Sequence, residues 1–123
     1  MISMSRLEEN NWFIGTGQAI GFEELVLIAK EHVSKGSKIF IGSDSFIVKQ
    51  RINFATAICL YGGGHPSRYF FTKNYENLQK YTALFNRMLE EATRTVELAN
   101  LLYTKMGIDP KDIEIHLDVS PFE

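Results

Sequence analysis

The sequence predicts an α/β domain built on a mixed β-sheet, and two observations in particular predict this class. Three β-forming segments follow one another with short connections, which is the pattern of an antiparallel meander. A long segment with helical spacing of apolar residues then leads to a strand that alternates apolar and polar residues. A helix between two strands is the usual crossover to a parallel strand.

The composition supports a single globular domain. The chain has 123 residues, of which 45 % are hydrophobic and 23 % charged, close to the average for folded domains. These values exclude a disordered or collagen-like chain, and the lone Cys59 excludes a disulfide scaffold. We expect one domain over 1–123, with an arm and a helix in 1–37 and the sheet and crossover helix in 38–119.

Two helices are predicted from apolar spacing. Residues 1–21 are expected to be irregular, and an extra N-terminal helix follows over 22–34, with Gly36 as its stop. The crossover helix is predicted over about 78–106, where apolar residues recur every three or four positions until Gly107.

Four strands are predicted from β-forming and alternating residues. The meander strands are expected over 38–45, 53–61 and 68–73, each bounded by glycine or a polar turn. The parallel strand is expected over 112–119, where Ile113, Ile115 and Leu117 share one face.

The charges are segregated along the chain although the net charge is only −2. Residues 1–44 carry four basic and six acidic groups, residues 45–89 six and one, and residues 90–123 three and eight. A basic middle beside an acidic end suits a site that pairs an anionic polymer with metal ions. Chance segregation along a short chain is the alternative.

Three carboxylates are candidates for a metal-dependent active site. Asp44 and Asp118 each lie near the end of a predicted strand, and parallel neighbours would bring these ends together. Glu91 lies at the border of the apolar stripe of the long helix, whereas Glu90 and Glu97 point away from it. Such carboxylates are ligands for Mg²⁺ or Mn²⁺ in phosphodiester cleavage. The alternative is that the aspartates cap their own turns and Glu91 is an ordinary boundary residue.

The same reasoning gives candidates for nucleic-acid contacts and excludes other cofactors. Phosphate contacts are predicted in and around the meander, at Ser45, Lys49, Arg51, Arg68 and Lys73, although a plain solvated rim is the alternative. Zinc is disfavoured because no HxH or HExxH spacing exists. No nucleotide cofactor is predicted, because the glycines at 62–64 are not followed by a GKS/T motif.

The expected compartment is the cytoplasm. The N-terminus lacks a basic region followed by an apolar stretch, and no run approaches the roughly 18 apolar residues of a membrane span. No membrane partner is therefore expected.

Four segments resemble the YkuK-like family of bacterial ribonuclease H-like proteins. They read IGSDS at 41–45, RYFF at 68–71, RMLEE at 87–91 and IEIHLD at 113–118. The resemblance implies a ribonuclease H-like fold and a two-metal nuclease acting on RNA, RNA–DNA hybrid or DNA. It also implies that Asp44, Glu91 and Asp118 are the catalytic metal ligands, with Glu90 or Glu97 as the alternatives to Glu91.

The family pattern continues beyond Asp118 with a turn, a strand and a helix that carries a further acid. We therefore expect a domain truncated at its C-terminus, or a partner chain, such as a second copy, that covers an open sheet edge. The alternative function is a non-catalytic ribonuclease H-like module that binds nucleic acid or a protein.

Overall fold

The architecture is a six-stranded sheet with two α-helices, seen in a computed structural model that describes residue 7 and residues 9–117. The strands are β1 (Trp12–Ile14), β2 (Ala19–Ile20), β3 (Lys38–Val48), β4 (Arg51–Gly62), β5 (His65–Asn77) and β6 (Ile113–His116). The helices are α1 (Phe22–Ser34) and α2 (Leu84–Met106), and short 3₁₀ turns lie at Leu78–Tyr81 and Pro110–Asp112.

The sheet is mixed, as the sequence predicts. Its strand order is β2-β1-β5-β4-β3-β6, and every neighbouring pair is antiparallel except β3 and β6. Strands β3, β4 and β5 form the predicted meander, and α2 is the crossover that leads to the parallel β6. The predicted fold class is therefore confirmed.

Both helices end where backbone geometry requires glycine. The chain leaves α1 through Gly36 with φ of 98°, and α2 ends at Gly107 with φ of 67°. A residue with a side chain adopts this left-handed region only at a cost, so each glycine stops its helix. Within residues 9–117 no helix is both long and apolar enough to span a membrane.

The hydrophobic core lies on one face of the sheet. The apolar stripes of α1 and α2 pack there against alternate residues of the central strands, among them Ile39 and Ile41 of β3, Ile58 of β4 and Phe70 of β5. In the part of the chain that the structure describes, no helix lies on the opposite face. We call that opposite face the open face.

The structure corrects the predicted boundaries in four places. Residues 12–20 form the β1–β2 hairpin instead of an irregular arm, since Trp12 is buried and donates a 2.8 Å hydrogen bond to the carbonyl of Leu7. The meander strands are longer than predicted because backbone pairing continues close to the turns, from Lys38 opposite Tyr61 to Val48 opposite Arg51 in β3 and β4, for example. Residues 78–81 form a 3₁₀ turn, capped by the side chain of Asn77, and α2 begins at Leu84. The strand predicted over 112–119 is seen as Ile113–His116, and residues 118–119 lie outside the described part.

Candidate functional site

Strand β3 presents its residues alternately to the core and to the open face. Ser43 and Ser45 are buried on the core side, and Ser43 lies 3.0 Å from the Thr56 hydroxyl of β4. Asp44, between them, is exposed. The pairing of β3 with β4 is regular through this region, so no bulge changes the alternation.

Glu91 lies on the core side, in a hydrogen-bonded group that joins α2 to β3. The Ser45 hydroxyl donates to the carboxylate of Glu91, which is only 9 % exposed. The Arg87 guanidinium, one turn earlier on α2, lies 3.3 Å from the Ser45 carbonyl oxygen and 3.4 Å from its hydroxyl. This arrangement satisfies polar groups that would be costly to bury alone.

Asp44 and Glu91 are therefore not brought together, because they lie on opposite faces of β3. Within residues 9–117, no three His, Cys, Asp or Glu side chains are grouped closely enough to hold a metal ion. A metal site that uses both Asp44 and Glu91 does not fit this geometry.

The other two helix acids lie apart from Asp44 as well. Glu90 forms an ion pair with Arg94, at 2.6 Å, and the same guanidinium reaches Glu76 of β5 at 3.4 Å. Glu97 lines the small cavity beside this cluster. Tyr81 also faces the cluster, and its pKa is raised by burial first and then by the carboxylates of Glu90 and Glu76, although Arg94 opposes them.

The predicted pairing of Asp44 with Asp118 depends on which strand lies beside β3. Strands β3 and β6 are adjacent and parallel, with Ile41 opposite Ile115 and Gly42 opposite His116. Asp44 follows Gly42 by two residues, and its side chain accepts the backbone N–H of Ser45 at 2.9 Å. Asp118 lies outside the described residues.

The open face carries a row of aromatic and basic side chains on β5. Tyr69, Phe71, Lys73 and Tyr75 alternate with the buried residues Phe70 and Thr72. The Tyr69 and Phe71 rings lie 6.2 Å apart, and the Lys73 ammonium lies 5.7 Å from the Phe71 ring. Tyr69 and Tyr75 are about half exposed, at 50 % and 56 %.

Next to this row, β4 contributes small side chains. Ala55, Ala57 and Cys59 lie opposite Lys73, Phe71 and Tyr69, and all three are only partly buried. On their other side, β3 contributes Phe40, Asp44 and Phe46. The open face is therefore a shallow trough, with a floor of small residues between two ridges that carry aromatic rings.

One end of the trough opens into a cleft of about 680 Å³ at the β4–β5 end of the sheet. Its lining includes Gln50, Arg51, Tyr75 and Asn77. The Arg51 guanidinium lies over the Tyr75 ring, 4.6 Å from its centre. The volume lies in the range of small-molecule sites.

Asn53 is the unusual polar residue of this face. It lies on β4 between Phe46 and Tyr75, is 2 % exposed, and its amide oxygen has no hydrogen-bond partner within the described residues. An acceptor left without a donor in this way costs about 1–3 kcal/mol.

The five predicted nucleic-acid contacts are divided between the two faces. Arg51 and Lys73 lie on the open face, and the exposed Lys49 occupies the turn beside Arg51. Ser45 is buried on the core side, and Arg68 shares the core-side row of β5 with Phe70, whose ring lies 5.4 Å from its guanidinium.

Sequence reasoning missed the contribution of Tyr75 and Asn53 to this face. Strict alternation along β4 and β5 could have indicated both residues. Asn53 lies opposite Phe46 on one side and opposite Tyr75 on the other, so all three share the open face.

Comparison with known proteins gives one match. A family model described as ribonuclease H-like matches residues 21–121, which is most of the chain. No curated protein and no solved structure matches the chain at a significant level.

Proposed function

Since the chain belongs to the ribonuclease H-like family, we propose that it is a nucleic-acid-binding domain that meets its ligand with the open face. One observation carries the proposal: Arg51, Lys73 and the aromatic rings of β5 share a sheet face that no described helix covers. Cations beside aromatic rings supply the two interactions that nucleic acid offers, with phosphate charge and with base faces.

The first experiment measures binding by fluorescence anisotropy, with labelled single-stranded RNA, single-stranded DNA, RNA–DNA hybrid and duplex DNA. The assay contains EDTA, so that binding is measured without cleavage. We expect binding that weakens with added salt, and a lower affinity when Arg51→Gln and Lys73→Gln are combined.

The matched control combines Lys30→Gln with Lys35→Gln, which removes two positive charges from exposed positions, one on α1 and one directly after it. We expect the control to bind as the unchanged protein does. If no nucleic acid binds at low salt, or if both double variants lose affinity equally, the proposal is wrong.

A second candidate function is metal-dependent cleavage of the bound strand. The observation that favours it is the parallel pairing of β3 with β6. The exposed Asp44 lies near this pairing, on the same face of the sheet as Arg51 and Lys73. We propose Asp44 and Asp118 as the carboxylates that would hold Mg²⁺ or Mn²⁺, and we leave Glu91 out of this set because of its position on the core side.

Cleavage is tested with Mg²⁺ or Mn²⁺ on the same four substrates. We expect Asp44→Asn and Asp118→Asn to lose cleavage and keep binding, and Glu23→Gln, an exposed acid of α1, to retain both. Equal cleavage by the unchanged protein and by Asp44→Asn would assign the activity to a contaminant.

A finer assignment within the family is also a proposal. The segments at 41–45 and 113–118 resemble the YkuK-like group, and we propose that the chain is a member of it.

A further inference from the structure

We infer that the open face binds single-stranded nucleic acid, whose bases stack on Tyr69, Phe71 and Tyr75. This inference rests on the proposed function and specifies its substrate class. Single-strand-binding proteins combine stacking rings with a basic groove that follows the backbone, and sheet domains that bind RNA present such rings on an uncovered face.

The first argument is the accessibility of the rings. Aromatic side chains bury a large apolar area when they can, so three of them on one row of an open sheet are costly unless something covers them. Tyr69 and Tyr75 are each about half exposed, and Phe71 stays partly exposed although it packs on Phe13 with 5.5 Å between ring centres. On the β4 side, Tyr69 and Phe71 are flanked by the small residues Cys59 and Ala57, which leave space for a planar base.

The second argument is charge. The charged side chains on the β4 and β5 part of the open face are Arg51 and Lys73, and both are cations placed against aromatic rings. The acidic side chains of the open face, Asp44 and Glu114, lie on β3 and β6 instead. A phosphate backbone is thus favoured along β4 and β5. An acidic peptide would use only the positive charges, and a neutral apolar partner would use only the aromatic rings.

The third argument is the orphaned acceptor beside Tyr75. The amide oxygen of Asn53 is buried and has no hydrogen-bond partner within the described residues. Because this oxygen is fully buried, a donor group of a base would reach it only after the neighbouring Tyr75 side chain moved aside. An unpaired base has amino and imino donors free for this contact, whereas in a duplex they are engaged in base pairing. The adjoining cleft, with Gln50 and Asn77 at its wall, is large enough for a nucleotide.

A duplex fits these features less well. Its bases are stacked on one another and do not expose their faces to protein rings, so it would contact the face through phosphates alone. We therefore expect single strands to bind more tightly than hybrid or duplex of the same length.

The closing experiment compares Tyr69→Ala and Tyr75→Ala with Tyr103→Ala by anisotropy on a 12-nucleotide single strand and on a duplex. Tyr103 lies on α2 and is 54 % exposed, which matches Tyr75 in side chain and exposure. We expect each trough variant to lose about five-fold to a hundred-fold in single-strand affinity, and Tyr75→Phe to retain it. Asn53→Val should remain folded and bind the single strand less tightly.

Cys59 gives a direct readout of where the strand lies. It is the only cysteine of the chain and sits on the floor of the trough. Burial raises the pKa of its thiol, so alkylation by iodoacetamide is best followed near pH 9. We expect the single strand to slow alkylation.

The outcomes separate the two proposals. If no nucleic acid binds, the proposed function fails and this inference fails with it. If duplex binds as well as single strand, and if Cys59 and the tyrosine variants show no effect, only the inference is overturned. If protein concentration alone slows alkylation, a second copy covers the trough and the inference is also wrong.

Discussion

At the scale of single residues, Ser45 contributes to folding instead of contacting a ligand. Its hydroxyl and carbonyl connect Glu91 and Arg87 of α2 to β3. Removing the hydroxyl leaves a buried carboxylate with one hydrogen bond fewer, and groups in this position lose their solvation without compensation.

We predict that Ser45→Ala lowers the free energy of unfolding by about 1–3 kcal/mol. The measurement is urea denaturation followed by circular dichroism. Ser34→Ala is the control, because the Ser34 hydroxyl bonds a carbonyl of its own helix in an exposed position, and a change within about 0.5 kcal/mol is expected there. Equal losses for the two variants would contradict the assignment.

A second residue-scale prediction concerns alkaline pH. The pKa of Tyr81 is raised above its ordinary value of about 10 by burial and by neighbouring carboxylates. Its contribution to stability is therefore complete below pH 10 and is lost as the pH rises through the higher pKa of the folded state. We expect Tyr81→Phe to flatten the decline in unfolding free energy above pH 10. A slope identical to that of the unchanged protein would show that Tyr81 does not cause it.

Residue-scale features also mark the limit of what the sequence predicts. Asp44 and Glu91 were both identified as chemically interesting, but their relative placement depends on which row of β3 faces the helix. The two rows of that strand read Ile39, Ile41, Ser43 and Ser45, and Phe40, Gly42, Asp44 and Phe46. Each row contains both apolar and polar residues, so alternation alone does not choose the buried one.

At the scale of elements, the tip of the β4–β5 hairpin is held against the end of α1. The Ser37 hydroxyl donates to the Gly62 carbonyl at 3.1 Å. Gly63 has φ of 69°, and a Cβ there would lie 2.8 Å from the Lys35 carbonyl oxygen and from the Ser37 nitrogen. The two loops are in backbone contact that only glycine permits.

We predict that Gly63→Ala destabilises the fold more than Gly64→Ala. Both residues have positive φ, and alanine in this region costs about 1–2 kcal/mol. Only at residue 63 does the new methyl also meet backbone atoms, whereas at residue 64 nothing lies within 4 Å. Chemical denaturation of the two variants side by side measures the difference, and equal losses would show that the loops separate at little cost.

Elements also show where sequence patterns are sufficient. The span of α1 was predicted correctly because acidic residues at its start, apolar spacing and a terminal glycine agree. The β1–β2 hairpin was missed, since strands of three and two residues are too short for alternation to be visible. What makes this segment ordered is the burial of Trp12, a tertiary effect.

At the scale of the whole molecule, the segregated charges fall on different strands of the open face. Arg51 and Lys73 of the basic middle lie on β4 and β5, whereas the acids Asp44 and Glu114 lie on β3 and β6. Of the eight acids in residues 90–123, three are in α2. A net charge of −2 therefore does not oppose binding of an anion to that face.

We predict a shallow salt dependence of single-strand binding. Arg51 and Lys73 on the face, with Lys49 in the adjoining turn, give a slope of about −2 in a plot of log affinity against log salt concentration, because each neutralised phosphate contributes about −0.7. Lys73→Gln should reduce the magnitude by about 0.7, and Lys30→Gln should leave it unchanged. A slope near zero would show that phosphates are not contacted.

Gly42 has a consequence for the order in which the protein assembles. A Cβ at this position would lie 2.9 Å from the His116 carbonyl oxygen, so β6 approaches β3 closely only because residue 42 has no side chain. During synthesis the meander leaves the ribosome long before β6, and antiparallel neighbours close in sequence pair early. We expect the edge of β3 to stay unpaired until β6 is synthesised, and the nascent chain to expose that edge to other strands until then.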